Sequence, residues 1–181
     1  ASWEDFDNDG DADVIIGRTL KSSLYLVQEE GRFVTATDRV EGGDLPKLVS
    51  SVSVVDYDSD GLLDVYFSTY AATMVMQNRR WLAERGQLGQ SALRGFLPDA
   101  DAIALGERLA SDGYAEQLNR PGPPNRLYRN VGEGRFALVD SALGLLRNTF
   151  QATWSDVDGD GDADVYLAND HSGNHLFRND S

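Results

Sequence analysis

One nine-residue template occurs three times in this chain. The stretches "DFDNDGDADV" (5–14), "DYDSDGLLDV" (56–65) and "DVDGDGDADV" (156–165) all fit DxDxDGxxD. Two carboxylates about 4 Å apart repel each other by about 1 kcal/mol even with water-like screening. Four of them in one tight loop therefore call for a compensating cation. Carboxylates at positions 1, 3, 5 and 9 alternate toward a common centre, and position 7 can add its backbone carbonyl. Gly10, Gly61 and Gly161 at position 6 allow the chain to bend around that centre. The donors are all hard oxygens, a set that suits calcium better than magnesium, which demands strict octahedral order and keeps its waters.

The charge of the whole chain points to the same loops. Across 181 residues the formal net charge is -14, yet without the twelve aspartates of the template only 18 acidic residues face 16 basic ones. The excess negative charge is therefore local. It disfavours nucleic acid and anionic membrane surfaces as partners, because both bind through Lys and Arg, and it favours a cationic partner. A hydrophobic content of 41% is enough for a folded core. There is no cysteine, hence no disulfide and no thiolate metal site. No apolar run is long enough for a membrane span, and no secretory signal pattern appears. The first residue is not Met, and the chain reads as a processed or excised piece of something longer.

The template sits inside a longer repeat. Before each loop stands a short strand-like segment ("ASWE", "VSVV", "ATWS"), and after it comes "DVII", "DVYF" or "DVYL", rich in β-branched and aromatic residues. A third strand follows in "SSLYLV", "NRLYRN" and "NHLFRN". In two copies a glycine turn in "EEGRF" and "GEGRF" leads to a fourth. The first two loops start 51 residues apart, at Asp5 and Asp56, and the next starts 100 residues later, at Asp156. The third-strand leucine lies 11 residues after the last loop aspartate in the first copy (Asp13 to Leu24) and 12 in the third (Asp164 to Leu176). In the second copy it lies 63 residues on (Asp64 to Leu127). The second copy therefore contains an insertion of about fifty residues, and long insertions on repeat scaffolds often carry function.

The expected organisation is repeat 1 over 1–51, repeat 2 over 52–70 and 125–150, a helical insertion over 71–124, and an incomplete repeat 3 over 151–181. Within the insertion, "NRRWLAERGQLGQSALRGFL" and "DADAIALGERLASDGYAEQL" read as two amphipathic helices. Ile103, Ala110, Tyr114 and Leu118 recur near helical spacing, as do Leu105 and Leu109, and "RPGPPN" turns the chain back to the sheet. The helices are expected to pack over one face of the host, with a partner-binding or substrate-covering role as the alternative.

Other acidic motifs fit less well. An EF-hand opens with the same DxDxDG but requires Glu at position 12 between two helices, where this chain has Ile16, Phe67 and Leu167 in strand-like runs. Nonapeptide β-rolls place their repeats in immediate succession, whereas these loops are far apart. The loops, the "DVYF/DVYL" strands and "NRLYRNVGEGRF" together resemble FG-GAP/VCBS repeats, as found in integrin α-subunit heads and bacterial cartilage-acidic-protein-like proteins. The resemblance implies an all-β chain of β-propeller blades, each of four antiparallel strands, with calcium in the loop of every blade. About three repeats make a partial propeller, whose outer blade faces would meet further sequence or another chain.

Carried over residue by residue, the implied ligands are Asp5, Asp7, Asp9 and Asp13; Asp56, Asp58, Asp60 and Asp64; and Asp156, Asp158, Asp160 and Asp164. The backbone carbonyls of Asp11, Leu62 and Asp162 join them, for about three calcium ions. No catalytic or organic-cofactor residues are expected. His171 and His175 have the i, i+4 spacing of a zinc helix, but turn formers separate them and the Glu of HExxH is missing. Trp3 and Trp154, at equivalent positions, are expected to pack between blades rather than stack on sugar. The leading expectation is a non-enzymatic, calcium-stabilised module for protein binding or adhesion, extracellular or periplasmic because calcium is abundant there. The alternatives are an accessory part of a secreted carbohydrate-active enzyme and a subunit of an envelope complex docked through the insertion.

Overall fold

The computed structural model of the chain describes residues 1–77, 95–111 and 121–180. The first sheet contains β1 (Ser2–Glu4), β2 (Asp13–Ile16), β3 (Leu24–Glu29) and β4 (Arg32–Thr35), hydrogen-bonded in that order. The second contains β5 (Val49–Val55), β6 (Asp64–Thr69), β7 (Arg126–Asn130) and β8 (Phe136–Val139), again in chain order. The third has three strands: β9 (Asn148–Ser155), β10 (Asp164–Asp170) and β11 (His175–Phe177). Every pairing within the sheets is antiparallel. The architecture is thus all-β and propeller-like, three blades in an open stack. Each acidic template is the turn between the first and second strands of its blade.

Strand register aligns the repeats better than the leucines do. Tyr25 pairs with Ile15, Leu127 with Tyr66 and Leu176 with Tyr166. Tyr25, not Leu24, is therefore the counterpart of Leu127 and Leu176, and the offset from the last loop aspartate becomes 12 residues in both uninterrupted copies. In the first copy "LYL" offers two leucines to match, and neither is the register partner of Ile15.

Alternation along the strands gives every blade two apolar faces. One face of blade 1 carries Phe6, Ile15 and Tyr25 and packs on Val65, Phe67, Tyr128 and Phe136 of blade 2. Three edge-to-face ring contacts lie in this interface, Phe6 with Tyr25, Phe6 with Phe136 and Tyr25 with Phe136, at centroid distances of 5.9, 5.6 and 5.4 Å. Each such contact adds about 0.5–1.5 kcal/mol beyond area burial. On its other face blade 2 offers Tyr66 and Leu127 to Ala152, Val165 and Leu167 of blade 3. Trp154 joins this second interface edge-on to Tyr66 at 5.8 Å, and its Nε1 donates to Ser53 Oγ at 3.1 Å. Trp3 behaves differently: it meets Phe33 of its own blade at 5.6 Å and stays 57% exposed. At the other end of the stack, Tyr166 and Leu176 are 45% and 56% exposed, although their counterparts Tyr66 and Leu127 are buried. Among the described residues, no further blade packs on these two end faces.

The insertion joins the stack through a separate cluster. Immediately after β6 comes α1 (Ala72–Gln77), a short helix the sequence reading placed no helix on, and α2 (Asp99–Ser111) follows later. Val75, Leu97, Ala102 and Leu105 pack with Leu48 at the foot of blade 2. The expected stripe on α2 needs correction: Leu105 is buried but Ile103 is 39% exposed, because Ala102 and Leu105 form the inward face. Asp101 fixes that phase by pairing with Arg126 of β7 at 2.5 Å. The expected first helix lies outside the described residues except for Gly95–Leu97, and so do Tyr114 and Leu118. The proline run at 121–124 is buried, with Pro123 O accepting from Thr69 Oγ1 at 2.8 Å and Pro121 O from Asn148 Nδ2 at 3.2 Å.

Two contacts between blades 1 and 2 are sharply testable. A Cβ on Gly17 would lie 2.5 Å from Val49 Cγ1 and 2.9 Å from Val52 Cγ2, and a branched valine has little freedom to yield. Gly17→Ala should cost about 1–3 kcal/mol in urea unfolding, and an unchanged midpoint would show that the interface is loose. The buried Asn130 donates its Nδ2 to Phe6 O of blade 1 at 2.8 Å. Asn130→Ala strands that carbonyl and should cost about 1–3 kcal/mol in the same assay.

Candidate metal centre

The three loops share one hydrogen-bond skeleton. Positive φ occurs at position 4 (Asn8, Ser59 and Gly159 at 60°, 57° and 81°) and at position 6 (Gly10, Gly61 and Gly161 at 97°, 85° and 102°). These two left-handed residues curl the backbone so that its amides point inward. The position-1 carboxylates accept them: Asp5 from Asp9 N (3.1 Å) and Gly10 N (3.0 Å), Asp56 from Asp60 N (3.0 Å) and Gly61 N (2.9 Å). Asp156 accepts from Gly159 N (2.6 Å) and Gly161 N (3.0 Å). Position 5 accepts the amide of position 7: Asp9 from Asp11, Asp60 from Leu62 and Asp160 from Asp162, at 2.9, 2.9 and 3.0 Å.

Position 9 ties loop to sheet. Asp13, Asp64 and Asp164 are buried, and each accepts two backbone amides. Oδ2 takes the amide of position 2, from Phe6, Tyr57 or Val157. Oδ1 takes an amide at or just beyond the third strand, from Gln28 (2.9 Å), Asn130 (2.7 Å) or Asn179 (2.8 Å). The last two of these residues also reach back one blade, because Asn130 Nδ2 donates to Phe6 O and Asn179 Nδ2 to Tyr57 O, at 2.8 and 2.7 Å. The first two acidic loops are therefore clamped by their own blade and by the next.

Positions 1, 3 and 9 converge. Carboxylate oxygens of Asp5, Asp7 and Asp13 lie within 4.8 Å of one another, as do those of Asp56, Asp58 and Asp64 and those of Asp156, Asp158 and Asp164. Asp9, Asp60 and Asp160 at position 5 fall outside these groups and hold the position-7 amide instead. Asp11, Leu62 and Asp162 supply those amides. A further exposed group joins Asp158 and Asp160 to Asp180.

Arginines orient the position-3 carboxylates, a feature the sequence reading did not anticipate. Arg39 Nη1 meets Asp7 Oδ2 at 3.0 Å, Arg129 Nε meets Asp58 Oδ2 at 2.7 Å, and Arg178 Nη1 meets Asp158 Oδ2 at 3.1 Å. Arg129 and Arg178 are the Arg of "LYRN" and "LFRN", and the asparagine that follows is the clamp, so this shared dipeptide was the available signal. Arg39 comes from a short 3-10 turn (Thr37–Arg39) and has no counterpart in the other copies. In each loop the arginine occupies Oδ2, and in the third loop Oδ1 of Asp158 accepts the Asp160 amide at 3.2 Å. Asp7 Oδ1 and Asp58 Oδ1 are buried and have no hydrogen-bond partner among the described residues. A buried anionic oxygen without a donor is costly, and a divalent cation bound by its neighbours satisfies it. The residues present therefore fit a hard metal ion, with the arginine as the outer partner that orients a ligand.

The carboxyl pKa directions agree with that fit. Burial pushes Asp64 up to about 6 against the opposing amides of Asn130 and Tyr57, and Asp58 and Asp60 add like-charge repulsion. Burial raises Asp13 in the same way. Asp164, in the loop with no blade beyond it, is held below the usual range by the Asn179 and Val157 amides. A nearby cation reverses such upward shifts.

The histidines do not form a helical pair. His171, in the turn after β10, meets Asp170 Oδ2 at 3.0 Å, whereas His175 lies on β11 with its Nδ1 3.1 Å from Asn169 Nδ2.

Among known protein families, the FG-GAP-like repeat matches this chain at residues 5–67 and 109–167. No curated protein matches it. The two matched regions contain all three acidic loops and together span more than half of the sequence. The chain belongs to the FG-GAP-like repeat family.

Proposed function

We propose that this chain is a non-enzymatic, calcium-binding propeller module that presents a rigid blade stack to a protein partner outside the cytoplasm. The observation that carries the proposal is the buried, unpartnered Oδ1 of Asp7 and Asp58, each beside two further carboxylates. Calcium, when bound, supplies the positive charge that the convergent carboxylates lack. Its ligands would be the position-1, position-3 and position-9 aspartates, with position 5 and the position-7 carbonyl of Asp11, Leu62 or Asp162 completing the set as carried over from the family. Each loop joins two strands, and the first two are clamped to the following blade by Asn130 and Asn179, which supports a structural rather than catalytic role for the ion. A location with abundant calcium suits loops of this charge. The apolar end faces bearing Trp3 at one end and Tyr166 and Leu176 at the other suit docking of a further blade.

Titration calorimetry should find three calcium ions per chain, and Asp158→Ala should leave two. A stoichiometry that Asp158→Ala does not change would remove that loop from the account. With calcium at about a hundredfold its dissociation constant, each independent site should add about 2.7 kcal/mol of stability, reversed by chelator. A melting curve indifferent to both calcium and chelator contradicts the proposal.

A further inference from the structure

A cavity of about 370 Å³ opens between β7, the 41–47 segment and the start of α2, and none of its lining residues belongs to an acidic loop. Its apolar walls are Leu45 and Leu97, both buried, the half-buried Phe96 and the exposed Leu138. Two cations line it, and both are already engaged. Arg126 Nη2 donates to both oxygens of Asp101 at 2.5 and 2.6 Å, and Lys47 Nζ donates to Gly95 O at 2.8 Å.

The remaining charged groups are carboxylates. Glu41 uses Oε2 for the Leu138 amide at 2.9 Å, and its Oε1 has no hydrogen-bond partner among the described residues. The Asp44 carboxylate has no hydrogen bond or ion pair among the described residues, yet it lines the cavity. At the base lies Tyr128, whose hydroxyl is pushed up to about 12 by burial and then by the surrounding carboxylates of Asp44, Asp101 and Glu41, with Arg126 opposing. An uncommitted carboxylate beside apolar walls selects a ligand that carries a charged donor on an aliphatic stem. A neutral sugar would leave Asp44 without a direct ion-pair partner, and an anion would meet Glu41 and Asp44, neither of which is paired with a cation among the described residues.

We infer that this cavity receives a lysine or arginine side chain from a basic segment of a protein partner. Its aliphatic stem lies between Leu45, Phe96 and Leu138, and its cationic head meets Asp44 and Oε1 of Glu41. The inference adds partner chemistry to the proposed interaction module and rests on that reading only in taking the partner to be a protein. Calcium binding and cavity binding fail separately, because they use different residues.

The test titrates the isotope-labelled full chain, with calcium present, with the peptide acetyl-Leu-Lys-Leu-amide and with its norleucine counterpart, followed by amide NMR. The lysine peptide should saturate and move the signals of Leu45, Lys47, Thr69 and Leu138. Replacement of its lysine by norleucine should weaken binding about tenfold or more, and so should Asp44→Asn, whose side chain has no contact to lose on folding. Glu30→Gln, at the tip of the β3–β4 hairpin, should change nothing. Equal affinity for the two peptides, an Asp44→Asn variant that folds and binds as before, signals that move only at the acidic loops, or no saturation at millimolar peptide overturns the inference.

Discussion

The buried aspartate at the ninth loop position is the constraint on which the rest of the structure depends. Asp13, Asp64 and Asp164 are each withdrawn from solvent, and each holds two backbone amides from different parts of its blade. A buried carboxylate is tolerated only when its oxygens are fully engaged. The second amide comes from the end of the third strand or just beyond it, so the loop can satisfy its own charge only when three strands are in register. Local loop chemistry and sheet topology are in this way a single requirement.

The same requirement extends from blade to blade. Asn130 and Asn179 lend their amides to the buried aspartate of their own blade and their side chains to the loop carbonyl of the preceding one. Blade stacking is thus fixed by directional hydrogen bonds as well as by the rings of Phe6, Tyr25 and Phe136. Apolar packing alone would tolerate sliding, whereas the asparagine clamp sets one register. In blade 1 the clamp position is Gln28, on the side of the stack where Trp3 lies exposed.

Much of this was legible in the sequence, for stated physical reasons. A template with four carboxylates and a glycine has few foldable solutions, so its place at a strand–strand corner could be read directly. The spacing predicts positions 1, 3, 5 and 9 around one centre; positions 1, 3 and 9 do converge, whereas position 5 is drawn to the nearby position-7 amide. The outer arginines were harder to foresee, because Arg129 and Arg178 act across strands, and Arg39 reaches Asp7 from a turn 32 residues away. Position 4 was missed as a left-handed site because Ser59 does not announce it as Asn8 and Gly159 do. On α2 the helical period was visible but its phase was not, since the Asp101–Arg126 pair decides which face turns inward. Register in the third strand failed by one residue where Leu24 and Leu26 flank Tyr25.

The central claim is that these corners hold a hard divalent ion at the oxygens the arginines leave free. Anomalous diffraction from crystals grown in calcium tests it most directly. The account predicts three anomalous peaks, each about 2.3–2.6 Å from the position-1, position-3 and position-9 carboxylates of one loop, with Arg129 and Arg178 still on the outer oxygens. Ordered loops without anomalous density, closed only by their arginines, would contradict it.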